Sequence, residues 1–325
     1  MAEAILVLGE VVHGAPTTVS LEVTSHLAKQ ARVEVVVAGT NVTGAAAGYL
    51  ACGASQVHVC DDPRLEKALL GRPLAHLVKA LMGSQTYLGV AIGATYTGRD
   101  AAGRLSVALS LPVLANLVGM SIEDGKVSVE STVFGATKVV VSRVANAPCG
   151  IYLVRPKSFP LGDAETANPS ATVSPLPLPD GALDGATVTE STTEATTGPR
   201  LEDAPVVVSG GRGVGSAENF AMLRELASLI NGSVGASRAV VDAGWVPYSM
   251  QVGQTGKTVK PAVYIACGIS GAMQHTVGMK GAKNIIVINK DGDAPIFKLA
   301  DLGVVGDCLT ILPQLIEGIK ARGAR

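Results

Sequence analysis

The residues best able to do chemistry gather in the last third of the chain, and the run VVVSGGRGVGSAENF opens them. Gly210, Gly211, Gly213 and Gly215 let the backbone come close to a phosphate, and a helix starting just after them would offer unpaired amides and a partial positive charge. A nucleotide diphosphate suits such a turn. The run is not the complete dinucleotide fingerprint, because a GxGxxG counted from Gly211 needs glycine where Ser216 stands, and a strand-to-helix turn with several glycines also serves as a plain tight turn. Arg212 favours the phosphate, since a guanidinium fixed among exposed amides matches an anion better than it matches a structural turn. Asp242, past the next strand, admits a nicotinamide reading in which a carboxylate holds ribose hydroxyls. Arg238 beside it argues for more anionic chemistry.

Further along, Gln254 and Thr255 sit in a Gly-rich loop, His275 ends the run GISGAMQH, and Asp307 precedes CLTILPQLIEGI. Taken singly, each has a plainer role: turn residues, a satisfied core or surface histidine, and a helix N-cap. Trp245 and Tyr248 fit an aromatic stacking surface and a packing anchor equally well. His13, His26, His58 and His76 belong to no visible constellation. Cys52, Cys60, Cys149, Cys267 and Cys308 form neither an even framework nor a close CxxC pair, and no histidine stands at zinc spacing from them, so they read as reduced, mostly buried thiols with no metal.

These residues must be held by strands and helices, and the pattern supplies them. AILVLGEV, a helix near Thr18 to Gln30, VEVVVAG, Gly44 to Gly53 and QVHVC alternate in βαβ fashion. The rhythm continues through a helix near Leu70 to Met82, the strand YLGVAIGA and a helix opened by Thr97 to Asp100, which implies a mostly parallel sheet. From Val113 it changes: VSVESTVFG, KVVVSRV and GIYLVRP, separated by short turns such as Asp124-Gly125, are expected as antiparallel strands completing that sheet. Between Pro156 and Pro205 lie eight of the 17 prolines, a stretch too poor in apolar surface to build a core and read as an interdomain connection. Within it TVTEST, Thr187 to Thr192, alternates well enough to extend the first sheet's edge. After Pro205 a second α/β unit begins. Phe220, Leu223, Ala227 and Ile230 line one face of its first helix, with Ser216 as the expected N-cap, and each chemical motif falls at a strand's carboxyl end, where open α/β sheets bind ligands.

Bulk properties agree. A chain of 325 residues with 47% hydrophobic content exceeds what one core usually supports. A net charge of -1 lacks the basic field of a nucleic-acid binder, and the longest apolar stretch, around Val107 to Met120, is interrupted by Ser110, Pro112 and Asn116 before membrane-spanning length. No basic or amphipathic leader is visible ahead of AEAILVLGEVV, so a bacterial-type cytoplasmic location is expected.

The region GASRAVVDAGWVPYSMQVGQTGKTVKPAVYIACGISGAMQHTVGMKGAKNIIVINKD closely resembles the signature region of electron transfer flavoprotein alpha subunits, and the likeness runs from VVSGGRGVGS through APIFKLADLGVVGD. The first half is similar to the family mainly in its α/β rhythm and length. The resemblance implies two α/β domains: residues 1–204, a nucleotide-binding-like sheet with extra antiparallel strands and the connection of about 156–204, then residues 205–325, a Rossmann-like parallel-sheet domain that binds FAD. Position by position, it implies that Arg212 lies by the FAD diphosphate or ribityl chain, with Ser237 and Arg238 on the flavin side. Val252, Gly253, Gln254 and Thr255 would wrap the isoalloxazine, with the Thr255 hydroxyl near its N5 edge. Ser270, Gly271, Ala272, Met273, Gln274 and His275 would set a helix N-terminus and an imidazole against ring and phosphates. Asn289, Asp307 and Cys308 match positions at the adenosine end. Cys308 and Met273 replace more usual aliphatics, and Gly292 stands where proline is common.

The implied activity is that of an electron carrier with no substrate turnover of its own. It would take electrons from flavin dehydrogenases such as the acyl-CoA dehydrogenases of fatty acid β-oxidation, and pass them to a quinone-linked oxidoreductase. A heterodimer with a beta subunit, which usually carries AMP, is implied as well. The chemistry of the residues is consistent with this: a one-electron-reduced flavin is an anion, and a unit charge ~4 Å away contributes roughly 4 kcal/mol at an effective dielectric of about 20, so Arg238 and a hydrogen bond from His275 would favour an anionic semiquinone. Two other functions are compatible with the glycine turn. A nicotinamide-dependent dehydrogenase is one, though no acid/base constellation is visible. A non-catalytic nucleotide-binding regulatory module is the other.

Overall fold

The computed structural model describes residues 4–134, 137–161, 170–191 and 199–323. The chain forms two compact units, Met1–Thr192 and Thr193–Arg325.

The first unit is built on β1 (Ala4–Leu8), a short ribbon of β2 (Val11–Val12) and β3 (Ala15–Pro16), α1 (Thr18–Ala28), β4 (Arg32–Gly39), α2 (Ala46–Ala51), β5 (Gln56–Asp61), α3 (Gly71–Ser84), β6 (Gly89–Gly93), α4 (Tyr96–Leu109), β7 (Val113–Glu123), β8 (Lys126–Val133), β9 (Lys138–Arg143), β10 (Gly150–Val154) and β11 (Thr172–Pro175). Its sheet runs β11-β5-β4-β1-β6-β10-β7-β8-β9. The continuous apolar run AILVL makes β1 a strand covered on both faces, as a parallel sheet requires. Ile5 and Val7 pack with Val19, Val23 and Leu27 of α1 on one face. Leu6 and Leu8 meet Leu74, Leu77 and Val78 of α3 and Leu105 of α4 on the other. Spacing by three and four residues along α3 places that apolar stripe inward.

The antiparallel expectation holds for β7, β8 and β9 and fails for β10. That strand inserts between β6 and β7 and is parallel to both. The physical reason lies in its burial: all five residues of GIYLV are buried, which only a central position shields, whereas β9 is largely exposed and forms the edge. TVTEST does not extend the sheet as a strand: Thr187 makes an isolated antiparallel bridge to Ala68, and Thr192 lies outside the described residues. The edge is extended by Thr172–Pro175, pairing parallel to β5 and tethered by Gln56 Nε2 donating to Ser174 Oγ at 3.0 Å. Of the Pro/Ser/Thr-rich connection, residues 162–169 and 192–198 lie outside the described residues. Among the described residues no helix is long and apolar enough to cross a membrane.

The second unit holds β12 (Val206–Gly210), α5 (Phe220–Leu229), β13 (Ser233–Ala236), α6 (Arg238–Asp242), β14 (Val263–Cys267), α7 (Met273–Thr276), β15 (Asn284–Asn289), β16 (Leu302–Val305) and α8 (Cys308–Gly323). Its sheet, β13-β12-β14-β15-β16, is entirely parallel. Phe220, Leu223 and Leu226 of α5 and Leu312 and Ile316 of α8 cover one face against Val208, Ile265 and Ile288. The opposite face, Val207, Tyr264, Ala266 and Val287, is covered mainly by loop residues: Val252, Val259, Ile269, Met279 and Ile296. The segments carrying the chemical motifs are thus also the lid of a hydrophobic core.

One buried charge organises the first unit away from any cavity. Glu34, 2% exposed, accepts from Tyr87 Oη (2.7 Å), His58 Nε2 (3.0 Å) and Gln85 Nε2 (3.0 Å), and pairs with Arg32 (3.1 Å). The His58 hydrogen bond, foremost, holds its carboxyl below the usual range against the opposing effect of burial. Removing the carboxylate strands buried donors, so Glu34→Ala is expected to cost about 3–5 kcal/mol in urea unfolding at neutral pH. Because the folded pKa is lowered, the carboxylate's advantage is full above the ordinary carboxylate range and declines as pH falls through the folded value. Repeating the comparison with Glu34→Gln at decreasing pH should therefore show the difference from the parent shrinking.

Candidate cofactor site

The carboxyl ends of β12, β13, β14 and β15 surround a cavity of about 600 Å³, within the size of a cofactor pocket. Two loops form its floor. Gly211 N–H donates to the Cys267 carbonyl (2.9 Å) and Gly213 N–H to the Gly268 carbonyl (3.0 Å). A Cβ on Gly213 would stand 2.7 Å from Gly268 Cα, and one on Gly268, whose φ is +61°, 2.6 Å from backbone atoms of Gly213. The glycines are required because backbone lies directly on backbone.

This corrects the expected helix at the phosphate turn. Residues Arg212–Val214 form a tight 3₁₀ turn, α5 begins only at Phe220, and Ser216 does not cap it. The Ser216 hydroxyl instead serves Glu218, holding that carboxyl below its ordinary range, and Asn219 Nδ2 donates to the Val214 carbonyl at 2.8 Å. Amides of Gly213, Val214 and Gly215 are taken by the carbonyls of Gly268, Gly211 and Arg212. Ser216, small and polar, belongs to a turn whose hydrogen bonds close on themselves. Arg212 is left exposed on the cavity wall with no ion pair among the described residues.

The second wall is a loop pair. Val252 N–H donates to Ala236 (2.9 Å), Gly253 N–H to Lys257 (3.1 Å) and Gln254 N–H to Gln274 (2.7 Å), all to carbonyls. Gly253 has φ +142°, and a Cβ there would stand 2.6 Å from the Gln274 carbonyl oxygen. Thr255 Oγ1 accepts from Gln251 Nε2 at 2.9 Å, which leaves its own proton for another acceptor, and Tyr248 Oη donates to the Thr255 carbonyl. Gln251 is 2% exposed and lines the cavity. Sequence reasoning missed it, because a glutamine beside a Gly-rich loop carries no signal of burial.

Ser237, Arg238, Ser270, Ala272, Gln274, His275 and Asn289 join Arg212, Val252, Gly253 and Thr255 on the wall. Ser237 N–H donates to the Gly210 carbonyl at 2.9 Å, bringing Arg238 to the start of α6. Arg238 Nε pairs with Asp242 at 3.1 Å, both side chains well exposed, so Asp242 holds that arginine. Asn289 Nδ2 donates to Ile269 (2.9 Å), and its Oδ1 accepts from Asp291 N–H (3.1 Å), placing Asp291 on the wall as a further residue absent from the sequence reading.

The remaining expected residues lie behind or beside the wall. Gln254 and Met273 are exposed outside it. Gly271, φ +87°, turns the backbone against Ile296. Asp307 Oδ1 accepts from Leu309 N–H at 2.9 Å at the start of α8, and the buried Cys308 thiol donates to the Gly213 carbonyl at 3.3 Å. Burial, with the Asp307 charge behind it, pushes that thiol up. Trp245 packs partly buried on the core, and Tyr248 is half exposed.

His275 is buried, with Nε2 2.9 Å from Tyr264 Oη. Its Nδ1 is buried without a hydrogen-bond partner; the nearby Val252 backbone favours the charged form but falls short of hydrogen-bonding geometry, and burial dominates, lowering the pKa to about 4. The imidazole is neutral at pH 7. Glycine-lined loops, two guanidinium groups, a hydroxyl with a proton to give and an orphaned buried nitrogen fit an anionic, nucleotide-bearing cofactor. One glycine variant tests the floor, and a glycine on α4 of the first unit serves as its control. Gly213→Ala is expected to destabilise the chain by about 1–3 kcal/mol in thermal unfolding and to distort the cavity. Gly103→Ala, where an added Cβ on α4 meets nothing within 4 Å, should stabilise by about 0.4–1 kcal/mol.

Comparison with known proteins agrees with this geometry. Residues 6–180 match the family described as "Electron transfer flavoprotein domain", and residues 200–280 match "Electron transfer flavoprotein FAD-binding domain". An electron transfer flavoprotein subunit alpha from Mycobacterium leprae (strain TN) is 41% identical, covering 99% of both chains. That of Bacillus subtilis (strain 168) is 33% identical over 98% of both. The mitochondrial subunit alpha of Arabidopsis thaliana is 35% identical over 94% of this chain and 86% of its own. With both of its units matched and nearly all of its length shared with such relatives, this chain belongs to the electron transfer flavoprotein alpha-subunit family.

Proposed function

We propose that the chain holds FAD in the cavity at the carboxyl ends of β12 to β15 and acts as a one-electron carrier, without turning over a substrate. It works in a heterodimer with a beta subunit that carries AMP, in the cytoplasm. Its donors are flavin dehydrogenases such as acyl-CoA dehydrogenases, and its acceptor is a quinone-linked oxidoreductase. The observation that carries this reading is the meeting of Arg212, Arg238 and the Val252–Thr255 loop on one glycine-floored wall, inside the stretch matched to an FAD-binding domain.

Bound there, FAD supplies the redox chemistry, and the protein supplies binding and electrostatics. Arg212, exposed and free of an acidic partner among the described residues, suits the diphosphate. Thr255, already accepting from Gln251, has a hydroxyl proton to offer a ring nitrogen. Arg238 provides the positive charge that favours an added electron, while its pairing with Asp242 restrains that charge. The dehydrogenase reading is weaker, because burial lowers the His275 pKa to about 4, too weak a base to take a proton at neutral pH, and Asp242 is tied to Arg238.

Co-expression with the beta subunit and a visible spectrum of the purified complex test the reading. A yellow complex containing FAD is expected, whereas assembled complex that takes up no FAD under any reconstitution condition rejects it. Colourless protein that binds NADH would favour the dehydrogenase, and tight AMP or ATP binding without flavin the regulatory module. Stepwise reduction tests the charges. Arg238→Ala should keep most of its FAD and lower the yield of the one-electron-reduced form about tenfold, ~1.4 kcal/mol. Asp242→Asn, which releases Arg238, should raise that yield, and unchanged yields in both variants would reject the role given to Arg238.

A further inference from the structure

The first unit has a cavity of its own, about 580 Å³, in the groove between α3 and α4. From α3 it is lined by Arg72, Ala75, His76 and Lys79, at the three- and four-residue spacing of one helical face. From α4, the stripe running from Arg99 through Gly103 and Arg104 to Val107 and Ala108 closes the other side. The rims are cationic: Arg72, Lys79, Arg99 and Arg104 stand against the single carboxylate of Asp100 on the wall, in a chain whose net charge is -1. The floor is small and apolar. Ala75 is buried there, a Cβ on Gly103 would meet nothing within 4 Å, and Val107 beside it is 84% exposed.

The protein holds two of these cations in place. Arg104 Nε donates to both Asp100 oxygens at 3.0 Å. Arg72 Nε donates to the Gly181 carbonyl at 3.1 Å, with Asp184 3.8 Å from its Nη2. A guanidinium has five N–H donors, so both keep donors to spare. Arg99 and Lys79 are exposed and have no ion pair among the described residues. The helices close on each other at one end, where a Cβ on Gly71 would stand 2.1 Å from Asp100 Oδ2, so Arg72, Arg99 and Arg104 gather there while Val107 and Ala108 lie about a turn beyond. His76 registers the local field: burial, then the charges of Arg72 and Lys79, hold its pKa below the ordinary histidine range against the opposing pull of Asp184. Size selects the class of ligand. From Arg72 to Lys79 the groove runs about 10 Å, too short to seat a docking helix of several turns, and its volume falls within the roughly 300–1,000 Å³ of small-molecule sites.

We propose that the α3–α4 groove binds a small phosphorylated organic molecule, its phosphate held by Arg72, Arg99 and Arg104 and its apolar part laid on Ala75, Gly103 and Ala108 beside Val107. Guanidinium forks match phosphate oxygens, and a floor of small residues admits a thin apolar body. The site belongs to the first unit and does not rest on the functional reading above.

The probe is phenyl phosphate, which joins a phosphate to a flat apolar ring, with inorganic phosphate and phenol as its separate halves. Each is titrated into the complex of the full chain with the beta subunit, labelled with ¹³C at histidine Cε1, and the His76 signal is identified by its loss in His76→Gln. His76 is expected to move saturably with phenyl phosphate, about tenfold more tightly than with either half. Its titration midpoint should rise as well, because a bound anion offsets the Arg72 and Lys79 charges. Arg99→Glu should weaken binding about tenfold or more, and Gly103→Leu, which fills the floor and leaves every charge, should remove the advantage of phenyl phosphate over phosphate. Both positions lie in the first unit, so the FAD content of the complex is expected to stay the same. The proposal is overturned if millimolar phenyl phosphate leaves His76 unmoved, if phosphate binds as tightly as phenyl phosphate, or if the response survives both substitutions. A glutamate-rich peptide that moves His76 where phenyl phosphate does not would overturn it in favour of an acidic protein partner. Failure of the functional reading would show separately, as complex without flavin in which His76 still responds to phenyl phosphate.

Discussion

Backbone-on-backbone contact between the loop after β12 and the loop after β14 is the constraint on which the rest of the second unit's site depends. Gly211 and Gly213 donate to Cys267 and Gly268, and neither Gly213 nor Gly268 has room for a Cβ. Side chains there would push the two loops apart, so the contact sets how closely the ends of two adjacent parallel strands approach. Everything on the cavity wall is measured from it. Arg212 sits between the two donating glycines, Cys308 ties α8 to the Gly213 carbonyl, and Asn289 fastens the next loop through Ile269. The turn looks like a phosphate cradle, but most of its amides hold the fold together, and recognition falls to the arginine and to the wall opposite.

That wall shows how one set of residues serves both core and site. Val252, Ile269 and Ile296 cover a sheet face that no long helix among the described residues covers, so the loops bearing Thr255, Ser270 and His275 are anchored by burial of their own apolar neighbours. Each fully buried aliphatic side chain contributes about 1.5–3 kcal/mol relative to exposure. Loops held in this way lose little further freedom when a cofactor arrives, which limits the entropic cost of binding. The charges are arranged with similar restraint. Arg238 is balanced by Asp242, and His275 is kept neutral by burial. Positive potential on the wall is therefore carried by the two guanidinium groups.

The first unit was legible wherever local pattern and final environment coincide. Apolar runs of β-branched residues became parallel strands, and the stripe Leu74, Leu77, Val78, Leu81 on α3 became a core face. The misreadings share a cause. β10 follows an antiparallel hairpin in sequence and crosses over to a central parallel position, and TVTEST yielded the sheet edge to Thr172–Pro175. Strand order and direction arise from contacts between residues far apart in the chain. A short run such as GIYLV has the same period wherever it lands, and only its continuous burial, visible in three dimensions, assigns it to the middle.

By itself the sequence determined the α/β character, the division into two units, the family and most of the cavity wall, because glycine spacing, guanidinium placement and the VGQT and SGAMQH runs are local signals whose chemistry does not depend on distant partners. Only the tertiary structure decided which polar groups are free to act. It committed Ser216, Asp242, Asp307 and Cys308 to partners within the protein, added Gln251 and Asp291 to the wall, and lowered the His275 pKa by burial. A residue's type sets what it can donate or accept, but whether that capacity points at a ligand or is satisfied inside the fold depends on neighbours that chain folding brings within hydrogen-bonding distance.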